Sequence, residues 1–152
     1  MVSYQGIFFE KDMAELIHSQ EKEKLEIVND EIHCTFKYHP VDNEIFNEIV
    51  GEYFEVYLIG YGNDGQNSGF EISLPKDLKS YYINYDEDNP SVLKVPHITA
   101  SLARNAKASN TKNLKFIPLE KPIKLVGRFG YWIKDENNGY ISYEPFYKNK
   151  TK

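Results

Sequence analysis

The chain has 152 residues, 41% of them hydrophobic and 27% charged, enough for a single domain over residues 1–152 and short for two independent ones. A net charge of -5 argues against charge-driven binding to long duplex nucleic acid, and only two arginines, Arg104 and Arg128, exclude a clamp of several guanidiniums. One cysteine, Cys34, excludes an intrachain disulfide framework and fits a reducing compartment such as the cytoplasm; no stretch is apolar enough for a membrane span, and residues 1–10 lack the pattern of a signal peptide.

Ser3 to Phe9 reads as a strand and Glu10 to Leu25 as a helix with Met13, Leu16, Ile17 and Leu25 on one face. Ile32 to Tyr38 is a second strand, ended by His39-Pro40. Asp42 to Val50 reads as a short helix capped by Asp42 and stopped at Gly51. Tyr53 to Tyr61 and Gly69 to Leu74 form a hairpin around Gly62-Asn63-Asp64-Gly65. Pro75 to Pro96 is a long irregular stretch of the kind that serves as a functional loop or lid. His97 to Leu102 is a further strand, and Ile123 to Lys134 with Tyr140 to Glu144 closes the chain as a hairpin. Mixed strands and helices with antiparallel neighbours predict an α+β fold.

Two of these strands carry one signature: Ile32-His33-Cys34-Thr35-Phe36 and Pro96-His97-Ile98-Thr99-Ala100. Strand side chains alternate faces, so each strand has an apolar back and a front bearing His and Thr side by side. With four threonines in the chain, one histidine meets Thr two places on by chance about 3% of the time, and two of four do so in roughly 0.4% of cases. Histidine gives and takes protons near neutral pH, and a hydroxyl beside it can hold an anionic oxygen. Such a pair suits phosphodiester cleavage without metal, with a base and an acid on opposite sides of phosphorus.

These residues resemble the 2H phosphoesterase superfamily, most closely the catalytic domain of 2',3'-cyclic nucleotide 3'-phosphodiesterase and related RNA-repair enzymes. Glu31 to Tyr38, Gly69 to Leu74, Pro96 to Ala103 and Gly127 to Trp132 look like that family's first motif, central strand, second motif and closing aromatic-glycine segment. The resemblance implies a bilobal fold of two antiparallel sheets related by a pseudo-twofold axis, with flanking helices and the active cleft between the lobes. It implies that His33 protonates the leaving ribose oxygen, that His97 activates water, and that Thr35 and Thr99 hold the phosphate. A 2'-phosphate would result; exchanged roles would give a 3'-phosphate. Asn67-Ser68-Gly69 departs from the pattern, where members of the family can carry a basic residue. The size also resembles phage 2H enzymes that destroy cyclic oligonucleotide alarm signals, which would put the chain in a bacterial or phage-infected cytoplasm.

Lys37, Ser101, Phe129 and Tyr131 are the expected substrate contacts, the first two through the strand fronts and the last two by stacking on a base. Tyr81, Tyr82 and Tyr85 could cover a nucleotide or anchor their loop. His18 and His39 read as surface residues and Cys34 as a buried hydrophobe. Scattered histidines and one cysteine predict no metal site, and no cofactor is expected. The expected partner is a cyclic nucleotide or an RNA end bearing a cyclic phosphate, with no membrane. A rival of another class is a module that sequesters a nucleotide without cleaving it, a task that needs no matched acid and base.

Overall fold

The computed structural model describes residues 2–38, 44–82, 95–134 and 136–147. Within them lie eight strands: β1 (Val2–Phe8), β2 (Ile27–Val28), β3 (His33–Tyr38), β4 (Tyr53–Asn63), β5 (Asn67–Ser73), β6 (His97–Leu102), β7 (Ile117–Lys134) and β8 (Gly139–Ser142). All pairings among them are antiparallel, in the order β2-β6-β5-β4-β7-β1-β3, with β8 on β7. Helices α1 (Lys11–Ser19) and α2 (Lys76–Lys79), and 3-10 turns at Glu44–Glu48 and Ala108–Asn113, complete the α+β fold. Among the described residues no helix is long and apolar enough to cross a membrane.

The long β7 begins six residues earlier than the pattern predicts. Pro118 and Pro122 argue against a strand there, yet Leu58 pairs with Ile123 and Gly60 with Pro118, so residues 119–122 sit at an irregularity where proline is tolerated. At Arg128 the strand passes from one neighbour to the next, pairing there with both Tyr53 of β4 and Phe8 of β1. Its inward residues build the core: Phe129 stacks on Phe46 at 5.6 Å and meets Phe36 edge-on at 5.1 Å.

Helix α1 stops at Ser19, short of the predicted Leu25, because Glu21 turns into the protein. Its Oε2 accepts hydrogen bonds from Ser68 (2.7 Å) and Ser101 (2.6 Å), and its Oε1 meets His18 Nδ1 at 2.8 Å. A buried carboxylate is tolerable only with such donors. His18 is thus held, not a surface group: its Nε2 also lies 2.7 Å from the Asn29 carbonyl. The chain then runs to β2, which pairs Val28 with Ser101. The predicted Asp42 cap, His39 and Tyr85 lie outside the described residues.

The two histidine strands have matching registers. On β1, Gly6 faces Thr35 and Phe8 faces His33; on β5, Gly69 faces Thr99 and Glu71 faces His97. Each glycine is required by close approach. A Cβ on Gly6 would lie 2.1 Å from the Cys34 carbonyl oxygen, and one on Gly69 would lie 2.4 Å from that of Ile98. Just beyond each threonine the register slips by one: Gln5 pairs with Lys37 and Ser68 with Ser101, leaving Phe36 and Ala100 as extra residues.

Candidate active site

β3 and β6 stand at or next to opposite ends of the strand order, yet they come into contact. The His97 backbone hydrogen-bonds the Cys34 thiol, so the back of one motif rests on the backbone of the other. Cys34 is fully buried, and burial pushes its thiol up to about 12, which makes it a core residue and no nucleophile.

The imidazoles are held alike. His33 Nδ1 lies 3.0 Å from the Glu31 carbonyl oxygen and His97 Nδ1 lies 2.9 Å from that of Val95, each two residues back along the chain. A carbonyl only accepts, so each Nδ1 carries the proton and donates it. The neutral ring therefore has its lone pair on Nε2. Thr35 and Thr99 lie on the same faces as their histidines, opposite the two glycines.

Their surroundings differ. His33 stacks on Tyr4 (5.0 Å) and lies against Phe8 (5.6 Å), and Tyr4 in turn stacks on Trp132 (6.0 Å). Burial among these rings pulls the His33 pKa below the usual imidazole value; the Glu31 carbonyl opposes this and the nearby His97 adds to it. The unfolded chain thus binds a proton on this residue at higher pH than the folded one. Its contribution to stability is complete above about pH 6.5 and is lost as pH falls through the folded pKa. Chemical denaturation between pH 8 and 5 should show a fall in stability on acidification that is smaller in His33→Gln; equal slopes would contradict the depressed pKa. Beside His97 stands Glu71, a half-buried carboxylate whose pKa burial raises.

Thr99 has a built surrounding. Its hydroxyl donates to Thr111 Oγ1 at 2.8 Å, and Thr111 also accepts from Asn67 Nδ2 at 3.0 Å. Asn67 Nδ2 donates as well to the Lys107 carbonyl at 2.8 Å, fixing the turn that carries Thr111.

No family model and no curated protein matches this sequence. The site is therefore read from its own geometry.

The expected substrate contacts do not join the histidines. Ser101 is fully buried and donates to Glu21, and Lys37 pairs with Gln5, whose side chain is itself fully buried. The one-residue slip after each threonine is the cause: it moves both residues off the face that strict alternation assigns them. Phe129 and Tyr131 are also fully buried, Phe129 in the aromatic core and Tyr131 with its hydroxyl donating to Asn47 Oδ1 at 2.6 Å. From that segment it is Trp132, one step out of phase, that reaches the aromatic group beside His33. Tyr81 and Tyr82 act as anchors, donating to Glu48 at 3.2 Å and to the Val95 carbonyl at 3.1 Å. Both arginines are engaged elsewhere, Arg104 with Glu26 and Arg128 over the rings of Tyr53 and Tyr143. Among the described residues no three His, Cys, Asp or Glu side chains gather as a metal-binding group.

Proposed function

We propose that the protein is a metal-independent phosphodiesterase of the 2H type that opens 2',3'-cyclic phosphates of nucleotides or RNA ends. The observation that carries this reading is the matched pair of His-x-Thr strands, each histidine with Nδ1 bound to the carbonyl two residues back. Binding an anion needs donors; it does not need two imidazoles fixed in one tautomer with Nε2 as the working nitrogen. The shared registers, with a glycine opposite each threonine, support the pseudo-twofold arrangement of the two halves. In that arrangement one Nε2 takes the proton of the attacking water, and a protonated imidazole across the phosphate gives one to the leaving ribose oxygen. Thr35 and Thr99 hold the non-bridging oxygens, and a base stacks on Tyr4 and Trp132.

The resemblance gives His33 the acid's role, while its aromatic setting favours the neutral form that a base needs. The two assignments predict different products. Incubation with 2',3'-cyclic mononucleotides, an RNA ending in a cyclic phosphate, and cyclic di- and trinucleotides, with and without chelator, tests the reading. Chelator-resistant opening of the 2',3'-cyclic compounds is expected. A 2'-phosphate product makes His33 the acid and a 3'-phosphate makes it the base. Linearisation of the cyclic oligonucleotides alone would replace the substrate, and retention without turnover would replace the enzyme by a sequestering module.

A further inference from the structure

We propose that Thr111, held by Asn67, is a positioning residue that aims the Thr99 hydroxyl at the phosphate; this rests on the phosphodiesterase reading above. Thr111 is fully buried and Asn67 is 1% exposed, so neither serves as a surface hydroxyl or amide. Their polar atoms converge on one point, Thr111 Oγ1, which receives hydrogen bonds from Asn67 and from Thr99. The fold makes room for this contact: a Cβ on Gly69, the residue opposite Thr99, would lie 2.6 Å from Thr111 Cγ2. The 3-10 turn Ala108–Asn113 can therefore press Thr111 against β5 beside Thr99.

A threonine side chain has one rotatable bond to its hydroxyl oxygen and one to the hydrogen. The contact to Thr111 fixes the first, and the second stays mobile. Before a phosphate binds, the Thr99 hydrogen points to Thr111. When a phosphate arrives, the Thr99 hydrogen turns onto a non-bridging oxygen, and the Thr111 hydroxyl supplies the hydrogen between the two oxygens. The Asn67 amide keeps Thr111 in place throughout. No bond is made or broken. The donor sits where charge gathers in the transition state, so losing the contact should lower turnover more than affinity.

The test compares wild type with Thr111→Val, Thr111→Ser, Thr99→Val and the double variant Thr99→Val/Thr111→Val on a 2',3'-cyclic mononucleotide. Thr111→Val keeps the volume and removes the hydroxyl. It should lower kcat about tenfold to a hundredfold, by analogy with losing an oxyanion donor or its alignment, with KM within about twofold. Thr111→Ser should restore turnover, and the double variant should be no slower than Thr99→Val alone. Wild-type kcat in Thr111→Val, failure of serine to rescue, or losses that multiply in the double variant would each overturn the proposal. If valine prevents folding, Thr111→Ala removes the hydroxyl without adding bulk and makes the same comparison. Wild-type protein that turns over nothing would instead overturn the phosphodiesterase reading and this proposal with it, so the two failures are told apart.

Discussion

Replacing His33 or His97 with alanine should lower turnover of a 2',3'-cyclic nucleotide by about 10²–10⁴-fold, the range for removing a general acid or base. The two losses should not multiply, because acid and base act in one transition state. The double variant is therefore expected close to the worse single variant. Each Nδ1 is held by a carbonyl just before its strand, and the pairings of β3 and β6 are made by backbone atoms that alanine keeps. Melting temperatures close to wild type would separate lost chemistry from lost fold. The pH profile should follow. Wild type is expected to show a bell with two imidazole limbs, and each single variant should lose one limb of whatever activity remains. Unchanged turnover in either alanine variant would remove that histidine from the mechanism.

Gly6→Ala should be among the most damaging single-atom additions in the chain. The new methyl would meet the Cys34 carbonyl oxygen at 2.1 Å, its carbon at 2.9 Å and the Thr35 Cα at 3.1 Å, all backbone atoms. No rotamer relieves such an overlap; β1 must draw away from β3, carrying Thr35 and His33 with it. A loss of about 3 kcal/mol is expected, the upper end for overpacking, or roughly 10 °C in Tm for a domain of this size. Gly69→Ala should behave as its counterpart, with the Ile98 carbonyl at 2.4 Å and Thr111 Cγ2 at 2.6 Å. Gly65→Ala is the contrast: its φ of +86 strains an alanine, yet nothing lies within 4 Å of the added carbon, so its cost should be nearer 1 kcal/mol. Equal melting points for Gly6→Ala and wild type would mean that the two strands do not approach this closely.

Which parts of the site were legible in the sequence follows from which interactions are local. The bounds of β6, His97–Leu102, match the pattern, and β3 is missed by a single residue. Alternation correctly set His33 with Thr35 and His97 with Thr99, because each pair is only two residues apart. It failed four residues out, at Lys37 and Ser101, because an extra residue in a strand leaves no mark on the hydrophobic pattern: Phe36 and Ala100 are apolar and buried in either register. Asn67 and Thr111 were beyond reach for another reason. Thr111 meets Thr99, and Asn67 meets Thr111, from a turn and a strand that pairing alone brings together, 12 and 32 residues from Thr99 along the chain. In the sequence Asn67 stands out only within Asn67-Ser68-Gly69, as a departure from the family pattern. A further signal is the pair of glycines, Gly6 and Gly69, each in the strand that pairs with a His-x-Thr strand.

The strand order also dictates when in the life of the chain a working site can exist. β1 is made well over a hundred residues before the end of β7, which is its sheet partner apart from β3 and ends at Lys134. Such pairings between distant parts of a chain form slowly, since loop closure precedes any gain from contact. During synthesis the β1–β3 pair can form early, holding His33 and Thr35 ready, while β6 and β5 must wait for β7 to join them to it. A nascent chain released before Lys134 would carry both motifs and no aligned site. On the ribosome, activity should appear abruptly, only after Lys134 has emerged.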